Sequence, residues 1–266
     1  MKNETKTPGA RNSAIPALTP EQMKKINLIT ESNNKIQKGV KLGFHSMGIH
    51  LAPSTLSGFN TCAGASVGCA SACLNSAGMG KFSNVQQSRI NKTKFFFKDK
   101  EKFMLTLADQ LTRKIKSAER KNLKPCFRPN LTSDLPFEKI KIKGLKGKTL
   151  MELFPALQFY DYTKIPARMS AYLAGDLPAN YCLTFSRNES KKNQKLCESF
   201  LKAGGNCAYV FKDKLPATYR GHKVISGMEH DLRFKDPQGQ GLIIGLLAIG
   251  DAKKDKSGFV IKDHLK

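Results

Sequence analysis

From residue 123 onward the chain alternates short apolar β-type segments with helical ones at a nearly constant spacing, and no other feature restricts its fold as sharply. The β-type segments cover 125–131, 157–162, 181–186 and 206–211, with helical segments at 136–154, 165–174 and 190–203 between them. Their starts lie 32, 24 and 25 residues apart, close to the period of a strand–helix–strand unit. Gly204-Gly205 supplies a helix stop ahead of the fourth strand. This pattern predicts parallel strands with helices packed against the sheet. Two further β-type segments, 223–226 and 241–249, break the rhythm. Only 11 residues, Pro216 among them, join Phe211 to Lys223, whereas a parallel crossover takes about a dozen or more. The C-terminal third is therefore expected to contain antiparallel or irregular connections. The fold class is α/β: an incomplete or distorted (β/α) barrel, or an open mixed sheet, rather than a full eightfold barrel.

Upstream, residues 1–20 are polar and read as a flexible arm. A helix is expected from Thr19-Pro20-Glu21, where Thr19 caps and Pro20 suits the first turn, to about Lys38. Residues 1–40 thus form an arm and N-terminal helix, and 41–266 a single α/β domain. That domain opens on a weakly alternating strand at 41–50 and a loop at 51–80 rich in Ser, Gly and Ala. Helical spacing of Val85, Ile90, Phe95–Phe97, Phe103, Met104, Leu107, Leu111 and Ile115 follows, as one long helix or two. The N-terminus lacks the apolar core of a secretory signal, and no stretch reaches the ~20 apolar residues of a membrane span. A cytoplasmic protein with no membrane partner is expected.

The loop carries Cys62, Cys69 and Cys73 in a C-x6-C-x3-C spacing. Clustered thiols in a reducing compartment point to a metal rather than a disulfide framework. Small neighbours from Ala63 to Ala72 let backbone amides approach a bulky cluster. Structural zinc favours four ligands with cysteine pairs at short spacing; three cysteines without such a pair favour an iron–sulfur cluster, [4Fe–4S] first, with zinc the competing reading. Three ligands leave one iron of a cubane open, and His45 or His50 could supply a fourth. Cys126, Cys182, Cys197 and Cys207 lie in apolar or helical segments and read as small buried side chains.

Ligands of parallel α/β sheets bind beyond the carboxyl ends of the strands. Those ends carry Arg128, Asn130, Thr132, Ser133 and Asp134, then Tyr160, Asp161, Tyr162, Thr163 and Lys164, then Ser186, Arg187, Asn188 and Glu189. The C-terminal segment adds Glu229, His230, Asp231 and Arg233. Arg128, Lys164 and Arg187 are candidates to hold an anionic substrate, with Asn130, Thr132, Asp134, Tyr160, Ser186, Asp231 and Arg233 lining its site. Asp161, Glu229 and His230 are candidates to move protons. Polar strand ends also arise where strands meet solvent and cap helices, and Asp134 and Ser190 are candidate N-caps.

The cysteine loop, the 128–134 and 159–164 segments, Asn180-Tyr-Cys-Leu-Thr-Phe-Ser-Arg187 and Gly227-Met-Glu-His-Asp-Leu-Arg233 together resemble the bacteriophage gene product 88 family, over roughly residues 40–250. Membership implies a phage origin and no established reaction. Three cysteines beside a partial α/β barrel are more remotely similar to radical S-adenosylmethionine enzymes, whose loop is C-x3-C-x2-C; that likeness implies S-adenosylmethionine as a co-substrate. The leading expectation is an iron–sulfur enzyme acting on an anionic small molecule, by radical or Lewis-acid chemistry. A formal charge of +24, from 45 basic and 21 acidic residues, keeps a second class open: a nucleic-acid-associated protein with a structural metal loop. Yet 36 of the basic residues are Lys and nine are Arg, and base and phosphate readers favour Arg. An electron carrier or redox sensor is the third.

Overall fold

The computed structural model describes residues 26–31 and 38–262. Strands β1 (Ile29–Thr30), β2 (Phe44–Ile49), β3 (Lys124–Arg128), β4 (Gln158–Thr163), β5 (Tyr181–Ser186), β6 (Cys207–Phe211), β7 (Thr218–Tyr219), β8 (His222–Ser226), β9 (Ile243–Leu247) and β10 (Val260–Ile261) make one sheet. Their order is β1-β2-β3-β4-β5-β6-β9-β8-β7, with β10 continuing the edge of β6 where β5 ends. From β2 to β8 every neighbouring pair is parallel; only the end pairs, β1 with β2 and β7 with β8, are antiparallel. This is an open mixed α/β sheet.

The five strands β2 to β6 stand side by side in chain order, each delivering its carboxyl end to the same rim. Consecutive parallel strands need crossovers on one side, and the helices supply them. They are α1 (Val67–Ser71), α2 (Ser83–Lys98), α3 (Lys100–Glu119), α4 (Leu150–Leu153), α5 (Pro166–Leu173) and α6 (Lys191–Lys202). Helix α3 buries Phe103, Met104, Leu107, Ala108 and Leu111, a stripe one side wide. It starts where Asp99 breaks from α2 and accepts the Lys102 amide at 3.0 Å. Pleating sends Met47, Phe127, Phe159, Leu183, Phe185, Cys207 and Ile243 to one face, against Phe95, Phe103, Leu107, Met169, Phe200 and Leu201 of the helices. The other face carries Cys126, Tyr160, Cys182, Ala208 and Ile244. Residues 228–238 lie across part of it and press Leu232 and Phe234 onto Tyr160, the rings of Phe234 and Tyr160 5.4 Å apart.

Helices expected at 165–174 and 190–203 form within a residue or two of those bounds, and Cys126, Cys182, Cys197 and Cys207 are buried. Ser190 caps α6 by accepting the Asn193 amide at 3.2 Å. Ser190→Ala should therefore lower stability by about 1 kcal/mol, read from the midpoint of a urea titration.

Three expectations need correction. The helix from 19 to 38 does not extend through 26–31: Ile29–Thr30 is a strand paired with Gly48 and Ile49, which buries Leu28 and Ile29 against the core. The rest of that helix and the arm lie outside the described residues, apart from Lys38. The segment 136–154 is helical only at Leu150–Leu153. Gly144, and Lys146-Gly147 with both φ positive, tighten the preceding chain into 3-10 turns closed by an Ile142–Lys148 bridge. Asp134 caps no helix of its own; it accepts from Thr163 and the Lys164 amide across the sheet. In the C-terminal third the antiparallel element is the short β7–β8 hairpin alone, while β8 and β9 rejoin the sheet parallel to β6.

Candidate functional site

The chain leaves β2 at the carboxyl rim and enters the cysteine loop, which the ends of β3, β4 and β5 grip in turn. Thr61 donates its hydroxyl to Ala52 O at 2.7 Å, and the Asp134 amide donates to Thr61 O at 2.8 Å. These bonds fix the residue before Cys62. Ser66 caps α1 by accepting the Cys69 amide at 3.2 Å and donates its own hydroxyl to Glu189 Oε2 at 2.7 Å. Glu189 Oε1 accepts the Gly68 amide at 2.8 Å. One carboxylate from the end of β5 thus clamps the short helix that carries Cys69. Burial pushes the Glu189 carboxyl up, but the bonds from Ser66 and Gly68 outweigh it and hold the group below its ordinary value. The clamp is charged throughout the neutral range and is lost only as pH falls below the usual carboxylate range.

Two loop glycines sit where a side chain has no room. A Cβ on Gly64 would stand 2.9 Å from both Lys164 Cβ and Lys164 O, and one on Gly68 would stand 2.8 Å from Glu189 Oε2. Glu189→Ala should free α1 from the sheet. The expected result is faster amide hydrogen exchange at residues 66–73 with no change in the strands; unaltered exchange there would contradict the clamp.

The three thiols are half-buried and lie within electrostatic reach of one another. Burial, then the charges of Asp134 and Cys69, raise the Cys62 thiol; burial, then Cys69 and Cys62, raise that of Cys73. Among the described residues no three His, Cys, Asp or Glu side chains are gathered closely enough to hold a single metal ion. His45 is tied to Glu31 at 2.6 Å. His50, at the end of β2, lies among Arg89, Lys92 and Arg128, and burial with those charges lowers its pKa to about 3.

The other candidates divide between two networks. On the helix side of the β3 and β4 ends, Asp161 is fully buried and accepts from Asn130 N at 3.0 Å, Asn130 Nδ2 at 2.8 Å and Tyr181 OH at 2.9 Å. Arg168 pairs with Asp134 and, through two nitrogens at 2.8 and 2.9 Å, with Glu138. Burial raises Asp161 to about 6 against the pull of Arg168 and Arg128. These groups brace the rim loops from beneath.

On the opposite face Arg128 pairs with Asp231 at 2.6 Å and lies 4.6 Å over the Tyr162 ring. Arg233, fully buried, donates to His230 O and stands 3.1 Å from Asp236. Arg128 Nε, Tyr160 OH, Arg233 Nε and Nη1 and Asp236 Oδ2 are buried without a hydrogen-bond partner among the described residues. Thr132 donates to Leu51 O at 2.6 Å, and its backbone carbonyl lies 3.8 Å from Cys62 Sγ. Ser186 is buried, and its carbonyl accepts from Asn193 at 3.3 Å. Arg187 is spent on the carbonyls of Gly258 and Phe259 at 3.0 and 2.9 Å. Lys164 reaches over the Phe259 ring at 5.8 Å. Glu229 is exposed and His230 half-buried.

Thr132, Asp134 and Lys164 therefore join the cysteine loop; Arg128, Asp231, Arg233 and His230 form a cluster under 228–238, linked to Asp161 through Arg128 Nε at 3.8 Å; Asp161 and Asn130 are scaffold. A cleft of about 380 Å³ lies elsewhere, at the amino ends of β4 and β5 between Tyr172, Tyr181, Cys182, Phe234 and Gln238. It has no charged lining. Sequence reasoning passed over Arg89, Lys92, Arg168, Glu138 and Asp236. Arg89 and Lys92 carried a signal: with Thr93 and Phe96 they fall on the buried stripe of α2.

An open sheet of consecutive parallel strands, with a three-cysteine loop clamped on its carboxyl rim, defines the class. The chain belongs to the bacteriophage gene product 88 family, whose model, described as Gene product 88, matches residues 22–263. No curated protein and no solved structure matches it. Among the described residues no helix is long and apolar enough to cross a membrane.

Proposed function

We propose that Cys62, Cys69 and Cys73 ligate an iron–sulfur cluster, a [4Fe–4S] cubane with one iron open, and that the protein is an enzyme acting on an anionic small molecule at the strand-end rim. The observation that carries this is the convergence of three thiols from one loop at the place where parallel α/β sheets bind their ligands. The donor set is soft and suits iron–sulfur or zinc. A cluster spreads its thiolates over separate irons, so it accepts cysteines standing farther apart than a single ion does. Small residues through the loop leave space for the cluster and let amide groups face its sulfides.

When bound, such a cluster supplies an open iron for electron transfer or Lewis-acid activation. Of the protein's own groups, Glu189 and Thr61 hold the ligand loop to the sheet. Lys164 offers a cation at the same rim. His230 and Glu229, on the flank of the 228–238 segment, are the titratable groups with access to solvent. S-adenosylmethionine is the co-substrate this reading names first, and calorimetry on cluster-loaded protein tests it. Anaerobic purification followed by iron and sulfide analysis, absorption and EPR spectroscopy tests the cluster. The expected result is brown protein with about four iron per chain; colourless protein with stoichiometric zinc overturns it.

The charge of +24 favours a second reading, adhesion to nucleic acid through lysine–phosphate contacts with a structural metal loop. That reading expects binding that falls steeply with salt and persists when the strand-end pocket residues are replaced.

A further inference from the structure

Arg89 and Lys92 stand one turn apart on α2, three residues in sequence, and both are more than nine-tenths buried, with 7% and 8% of their surface exposed. Neither has a carboxylate partner among the described residues. Arg89 donates Nη1 to Asn75 Oδ1 at 2.5 Å and leaves its Nε without an acceptor. Lys92 donates Nζ to Leu28 O at 3.2 Å. Three other buried cations are matched by carboxylates, Arg128 by Asp231, Arg168 by Asp134 and Glu138, and Arg233 by Asp236, and a fourth, Arg187, is held by the carbonyls of Gly258 and Phe259. An unpaired buried charge costs several kcal/mol, and two side by side also repel each other. A fold that keeps both has a use for their field.

The cysteine loop meets Arg89 through the neutral side-chain amide of Asn75, and among the described residues Lys92 is held by a backbone carbonyl and by no acid. Both cations act on His50, at the carboxyl end of β2, with Arg128 already neutralised by Asp231. Thr132 gives its hydroxyl proton to Leu51 O, so His50 Nδ1 is the donor in its 3.4 Å contact with Thr132, and burial among these cations keeps the ring neutral. The two cations therefore lie behind the loop, Arg89 against Asn75, two residues past Cys73, and Lys92 against Leu28.

We infer that Arg89 and Lys92 form an anion-binding site behind the cysteine loop, which takes the carboxylate or phosphate group of a small molecule. A guanidinium and an ammonium in a desolvated setting make strong charge-assisted bonds to such oxygens. Calling that molecule the substrate rests on the enzyme reading above; anion binding itself does not, because it needs no metal.

The test is calorimetric titration of the full chain at low salt with inorganic phosphate and, separately, with acetate, iron being measured on the same sample. One probe should bind saturably at one site per chain, and which of them does so tells phosphate from carboxylate. Arg89→Gln and Lys92→Met should each weaken it at least tenfold, Lys92→Arg should retain it, and Lys98→Met, at the exposed end of α2, should leave it unchanged. Circular dichroism checks each fold, and if Lys92→Met does not fold, Arg89→Gln with Lys92→Arg decides. Saturation by neither probe overturns the site. So does equal weakening by Lys98→Met, which would report only the general field of a basic protein. An anaerobically purified sample that holds no iron and still binds the anion defeats the cluster reading and leaves this one standing.

Discussion

Anaerobically produced Cys69→Ala protein is expected to emerge nearly free of iron while folding as the parent does. Cys69 sits on α1, a five-residue helix at the surface of the rim, and is absent from the hydrophobic core. Alanine is the best helix former and keeps the backbone amide that Ser66 accepts. The thermal midpoint of the metal-free protein should therefore move little. Iron content should drop by more than the roughly 10–100-fold in affinity that changes beside a metal site cost, because a ligand itself is gone. Cys126→Ala is the matched control. That thiol is fully buried beneath the sheet, bonded to Ser46 at 3.3 Å, and pushed up to about 12 by burial. It should cost stability and leave iron unchanged. Equal iron in the Cys69→Ala and parent proteins would remove the loop from metal binding.

What the sequence made legible was whatever repeats locally. Alternation in 181–186 and the stripe in 100–119 are written in consecutive residues, so β5 and α3 could be placed closely. Residues 136–154 misled because the segment fills the helix slot of the strand–helix rhythm, while Lys146 and Gly147, both at positive φ, turn the backbone within it. Strand order was less accessible: β9 inserts between β6 and β8, a choice made by packing of Ile243 and Ile244 rather than by the short link itself. At the rim, residue type identified the cysteines but not their partners. Glu189 reaches Gly68 across 121 positions, a distance that no local pattern spans. Asp161 looked like a proton carrier because it ends a strand, yet its carboxylate is consumed by Asn130 and Tyr181.

Arg168→Met is expected to destabilise the protein by about 3–5 kcal/mol, the cost of breaking a buried ion pair from one side. The guanidinium has 3% of its surface exposed and holds Asp134, Glu138 and Tyr181 together, the last at 2.6 Å. Methionine matches its stem in bulk but leaves two carboxylates, 9% and 7% exposed, facing each other without a cation. Asp134 is also the residue whose amide fixes Thr61 and whose carboxylate takes Thr163 and the Lys164 amide. Loss of Arg168 should thus loosen the rim at the point where the cysteine loop rests on it. Urea titration reads the stability, and hydrogen exchange at residues 61–65 reads the coupling. Arg168→Lys should fall between parent and Arg168→Met, since an ammonium restores charge but cannot bind Glu138 through two parallel bonds. A cost below about 1 kcal/mol, the range of a surface pair, would mean that Asp134 and Glu138 find other partners or protons. In that case the rim would owe its shape to the backbone bonds of the loop rather than to the charge network beneath it.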